Sequence, residues 1–81
     1  MEKYEINKFI SEYKEKLNDL YQAFNVKNKK EEYDVLAIEI SKTDFWNDTE
    51  HAQKIISKSN SLKEIIDIYD NVLKNYNDIK D

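Results

Sequence analysis

The chain has 81 residues, 40% hydrophobic and 37% charged, with no Gly, Pro or Cys. A chain this short supports one thin core, and the lack of Gly and Pro to punctuate turns disfavours a β-sandwich and favours an all-α fold. The missing Cys removes disulfides and thiolate metal sites, and a net charge of -4, with every basic residue a Lys, removes any global attraction to phosphate.

The first element carries Ile6, Ile10, Tyr13, Leu17, Leu20 and Phe24, one apolar seam at helical spacing. Glu12 and Lys16 stand on its polar side at i and i+4, in the stabilising order. A helix over about 3–24 follows. Asn25 and Asn28 then interrupt the pattern and offer N-cap oxygens, with Glu31 three residues beyond Asn28 completing a loose capping box. The second helix, about 26–41, is apolar on more than one side. Tyr33, Leu36, Ala37 and Ile40 form one face, while Val35 and Ile38 point elsewhere, so this helix is expected to pack between two partners.

Ser41-Lys42-Thr43-Asp44 has low helix propensity, and Asn47 or Asp48 can cap the next helix, with Glu50 complementing the dipole in its first turn. The third helix, about 49–79, has the longest seam: Ala52, Ile55, Ser59, Leu62, Ile66, Tyr69, Leu73 and Tyr76, broadened by Ile56, Ile65, Ile68 and Val72. At 1.5 Å per residue it measures roughly 45 Å, against about 30 Å for the first helix and under 25 Å for the second. One end of it should stand proud, inviting a further helix or self-association of the domain. Polar breaks short enough for tight connections point to a three-helix antiparallel bundle with coiled-coil-like seams, a single helical domain over 1–81. Sustained 3–4 alternation also suits an intermolecular coiled coil, so a stand-alone helical adaptor is the competing class.

Few residues carry chemistry. His51 is the only histidine and reads as a solvated first-turn residue, with neither a nucleophile nor a carboxylate pair arranged around it in sequence. Glu31, Glu32, Asp34 and Glu39 do not follow a calcium-loop pattern, and no zinc-ligand spacing exists. Neither enzyme activity, a metal, a cofactor nor a small-molecule ligand is expected. Lys27, Lys29 and Lys30 form the one basic patch, either a phosphate contact or a solvated helix start neutralised by Glu31 and Glu32; the second reading is preferred. Trp46, with Phe45, either plugs the base of the bundle or anchors a partner protein, and the plug is preferred. Tyr13, Tyr33, Tyr69 and Tyr76 fall on the seams as core, whereas Tyr4 and Tyr21 are uncommitted. No apolar run approaches the roughly 20 residues that span a bilayer, and the N-terminus does not read as a signal peptide, so a cytoplasmic protein without a membrane partner is expected.

The stretch Thr43-Asp44-Phe45-Trp46-Asn47-Asp48-Thr49-Glu50-His51-Ala52-Gln53, followed by Lys54-Ile55-Ile56 and Leu62-Lys63-Glu64-Ile65, resembles a corner in the N-terminal domain of the bacterial peptide chain release factor 2 family. Upstream, Phe24-Asn25-Val26 and Lys29-Lys30-Glu31 extend the resemblance, which covers roughly Leu20 to Tyr76. Phe45-Trp46-Asn47-Asp48 is its specific part, and Thr43 and Thr49 depart from the Pro common in the family. The resemblance implies an accessory domain that acts in translation termination at UGA and UAA codons. It implies placement near the ribosomal stalk base, and a further helix that follows in sequence and returns along the third. It also implies that stop-codon reading and peptide release, which need a Ser-Pro-Phe and a Gly-Gly-Gln loop, reside elsewhere, because a chain without Gly or Pro has neither.

Overall fold

The computed structural model describes residues 3–80. Three helices form: α1 (Lys3–Ala23), α2 (Val26–Ile40) and α3 (Thr49–Lys80), with a 3-10 turn at Phe45–Asn47 between α2 and α3. No strand occurs among the described residues, and the all-α class is as the composition predicts.

The arrangement follows from which residues oppose which. Tyr13 stacks on Tyr76, with ring centroids 5.5 Å apart, and Tyr21 meets Tyr69 at 5.3 Å. Farther along, Glu32 pairs with Lys58 at 2.6 Å and Glu39 with His51 at 2.8 Å. Apart from Lys30, which reaches Asp70 beside Tyr69, each advance through α1 and then α2 is matched by a retreat along α3. The first two helices therefore run in the same direction, one after the other, and both run against α3. Their 21 and 15 residues together span about 54 Å, close to the 48 Å or so of the 32-residue α3. The molecule is a long helical hairpin with one broken arm, 62 × 21 × 14 Å in extent. Its radius of gyration of 17.9 Å far exceeds the roughly 12 Å of a compact domain of this length.

Two expectations are corrected by this geometry. α3 does not stand proud, because α1 and α2 cover it in series; instead the first turns of α1 run past its end, leaving Tyr4, Ile6 and Phe9 exposed. Nor does α2 pack between two partners. Leu36 is buried against α3, while Val35 and Ile38 face solvent.

Asn25 makes the break in the arm. It adopts the left-handed conformation (φ 51, ψ 49), a single residue that ends one helix and starts the next. Its N–H reaches back to the carbonyl of Gln22 at 3.1 Å, and its own carbonyl accepts from the N–H of Lys29 at 3.1 Å. Asn tolerates this region better than other residues with a Cβ. The Asn25 side chain makes no capping bond, and Asn28 lies inside the first turn of α2, so the expected Asn28–Glu31 capping box does not form. Lys29 takes over instead, its Nζ donating to the free Phe24 carbonyl at 2.8 Å.

The core is correspondingly thin. Around the hinge Leu17, Val26, Tyr69 and Tyr76 are buried together, with Ile10, Tyr13, Leu20, Tyr21, Phe24, Val72 and Leu73 packed against them. Tyr21, uncommitted in sequence, thus joins the core. Toward the corner Leu36, Ala52, Ser59, Leu62 and Ile66 continue the buried line.

Leu17→Ala should cost about 2–4 kcal/mol in denaturant unfolding, as for a large-to-small change in a packed site, whereas Ile68→Ala at an exposed position should stay within about 0.5 kcal/mol. Asn25→Val should destabilise by about 1–2 kcal/mol and Asn25→Gly should not, because only the β-branched residue resists the left-handed conformation. Equal stability of the Val and Gly variants would refute the hinge assignment.

Candidate partner-contact surface

The corner between α2 and α3 is built by a chain of short-range bonds. At the end of α2 the Ser41 N–H is shared between the carbonyls of Ala37 and Ile38, both at 3.2 Å, and Ser41 Oγ donates to the Ile38 carbonyl at 2.6 Å. These bonds satisfy carbonyls that a helix end leaves without partners. The Phe45 N–H then reaches the Lys42 carbonyl at 3.2 Å, and the Asn47 N–H the Asp44 carbonyl at 3.1 Å, closing the 3-10 turn. Asp48 is extended (φ -109, ψ 96) and caps α3: its Oδ1 accepts the His51 N–H at 3.1 Å and its carbonyl the Ala52 N–H at 2.9 Å. That is the N-cap role expected of Asn47 or Asp48.

The turn separates its two aromatics. Phe45 is 6% exposed and fills the gap between the helix ends, whereas Trp46 is 59% exposed and stands edge-on against it, centroids 5.1 Å apart at 84°. The preferred plug reading therefore holds for Phe45 and fails for Trp46. Successive residues of a tight turn point in different directions, and Phe45 is the one turned toward the helices. His51 is not simply solvated: its Nε2–H donates to Glu39 Oε1 at 2.8 Å, tying the two helices together beside Phe45, with the His51 and Phe45 ring centroids 6.5 Å apart. Glu39, Lys42, Asp44, Asn47, Asp48 and His51 line an open polar notch around Phe45.

The structure does not bring the other candidates to this corner. Lys27, Lys29 and Lys30 sit at the opposite end of α2, about 20 Å away along the helix. Lys29 is used on the Phe24 carbonyl, and Lys30 pairs with Asp70 at 3.2 Å and lies 5.9 Å from the Tyr69 ring centroid. Lys27 and Lys30 are exposed and Lys29 is half-buried. Among the described residues no group of three or more His, Asp or Glu is placed to hold a metal, and no helix is long and apolar enough to cross a membrane.

Sequence comparison adds relatives to this geometry. The chain is 33% identical over 64 residues to peptide chain release factor 2 of Thermosipho africanus, covering 79% of this chain and 17% of that protein. To the same factor of Staphylococcus epidermidis it is 38% identical over 72 residues, 85% of this chain and 19% of the relative. To that of Petrotoga mobilis it is 32% identical over 80 residues, 99% of this chain and 22% of the relative. The chain is similar to part of release factor 2. The resemblance read from Phe45-Trp46-Asn47-Asp48 and its flanks is thus supported over most of the sequence, and the chain spans about a fifth of the length of these relatives. No family model and no solved structure matches it.

Trp46 is the sole tryptophan, so its emission reports this site alone. Emission near that of free tryptophan and efficient quenching by acrylamide are expected; a blue-shifted, protected Trp would contradict the exposed placement. Phe45→Ala should cost about 3 kcal/mol or more and Trp46→Ala less than about 1 kcal/mol in thermal or denaturant unfolding. Asp48→Ala should cost about 1 kcal/mol through loss of the cap.

Proposed function

We propose that this chain is the N-terminal accessory domain of a peptide chain release factor acting in translation termination at UGA and UAA codons. On this reading it contributes no catalytic group. It holds the factor on the ribosome near the stalk base, working in the cytoplasm. The observation that most supports the reading is similarity to release factor 2 proteins along nearly the whole chain. A long, thin, rigidly registered hairpin suits a positioning part, because its two ends lie far apart and can touch different neighbours. The candidate contact is Trp46 at the corner; Lys27 at the hinge is read as solvated, with Lys29 and Lys30 already engaged inside the molecule. Expressed alone, the domain has an apolar tip, formed by Tyr4, Ile6 and Phe9, through which copies would associate.

Source DNA read beyond codon 81, in frame or through a nearby frameshift, should encode a Ser-Pro-Phe and then a Gly-Gly-Gln segment; a stop with no such continuation in any nearby frame would defeat the reading. In the full-length factor Lys27→Glu should leave the salt dependence of ribosome affinity unchanged. A slope reduced by about one would instead assign a phosphate contact to Lys27.

A further inference from the structure

The net charge of the hairpin is not spread along it. Residues 31–60, the corner half by the pairing of α2 with α3, contain seven carboxylates (Glu31, Glu32, Asp34, Glu39, Asp44, Asp48, Glu50) against three lysines (Lys42, Lys54, Lys58), a balance of -4. That equals the formal charge of the whole chain, so the remaining residues balance to zero. Two of the three lysines are taken up internally, Lys58 by Glu32 at 2.6 Å and Lys54 by Glu50 at 3.6 Å. The same half exposes apolar groups that nothing in the fold requires to be apolar. Val35 and Ile38, 62% and 64% exposed, lie one turn apart on the side of α2 away from α3, and Trp46 stands at the corner. Glu31, Asp34 and Asp44 are exposed around them.

We propose that this corner half docks on a cationic protein surface bearing an apolar depression, with Trp46, Val35 and Ile38 entering the depression and the carboxylates meeting Lys or Arg. The proposal names the partner chemistry under the release-factor reading and rests on that reading. Charge complementarity selects the occupant. A phosphate backbone is repelled by a half-molecule of net -4 without a single Arg. A second copy would set the same acidic surface against itself, and like charge opposed at an interface is costly. A basic protein surface gains from both parts: the charges steer the encounter and an exposed Trp supplies the anchor.

The test uses the 81-residue chain carrying Trp46→benzoylphenylalanine, irradiated with 70S ribosomes, alongside sedimentation binding of the unmodified chain. A protease-sensitive adduct supports the proposal. So does an affinity loss of about tenfold in the triple variant Glu31→Lys, Asp34→Lys, Asp44→Lys. All three positions lie outside the packed seams, circular dichroism verifies folding, and Val35→Ser with Ile38→Ser gives an independent loss. An adduct with ribosomal RNA, or binding indifferent to both variants, overturns the proposal while leaving the ribosome reading intact. An adduct between two copies overturns it in favour of self-association. If the chain does not sediment with ribosomes, Trp46 emission is titrated with a helical peptide carrying lysines on one face and leucines on the other. A blue shift abolished by the triple variant upholds the docking chemistry and removes the ribosome reading; no shift removes both.

Discussion

The structure depends on one buried line along α3, from Ala52 to Tyr76 and apolar except at Ser59, and on its being covered by two helices in series. Burial of that line is what holds the hairpin together, since each opposing helix contributes only a narrow stripe. Because both arms lie in a single layer, full enclosure is confined to the joints, to Val26 at the hinge and Ala52 at the corner among the described hydrophobic residues. Buried positions are therefore confined to the seam, and the flanks on either side remain open grooves such as that between Tyr13, Leu17, Leu20 and Val72. Ion pairs at the edges, Glu32 with Lys58 and Lys30 with Asp70, are half-exposed and contribute more to register than to stability.

Breaking one arm at Asn25 changes what each part of the molecule is available to do. The break draws Lys29 onto an orphaned carbonyl and Lys30 onto Asp70, so the one basic cluster in the sequence is largely spent on the joint. The corner has the opposite character. Its closure uses backbone bonds, the Asp48 cap and the His51–Glu39 contact, which leaves Trp46 and the outer face of α2 without internal duties. The ends of the hairpin thus differ chemically, one an apolar overhang of α1 and the other an acidic surface with aromatic and aliphatic contacts.

Helix content and the seam of α3 were legible in the sequence because 3–4 periodicity reports directly on which side of a helix meets a neighbour. The same signal says nothing of how many neighbours there are. Val35 and Ile38 therefore read as a second packing face, when the residues opposing α2 already fill its only buried side. The length of α3 exceeds that of α1 or α2 alone for a related reason: the two lie in series, so their lengths add along it. Phe45 and Trp46 are adjacent and alike in hydrophobicity, so only the geometry of the 3-10 turn decides which one is buried. The role of Asn25 was hidden because a left-handed residue between two helices gives the same polar signature as an N-cap. His51 meets Glu39 across 12 positions of sequence, a distance that local pattern cannot bridge.

The series arrangement of α1 and α2 along α3 carries everything else, since it sets the separation of the two ends and frees the outer face of α2. Small-angle X-ray scattering of the chain, extrapolated to zero concentration, measures it most directly. The account predicts an elongated particle near 60 Å long with a radius of gyration close to 17.9 Å. A radius near the roughly 12 Å of a compact 81-residue domain would contradict it, and the corner surface would have to be assigned anew.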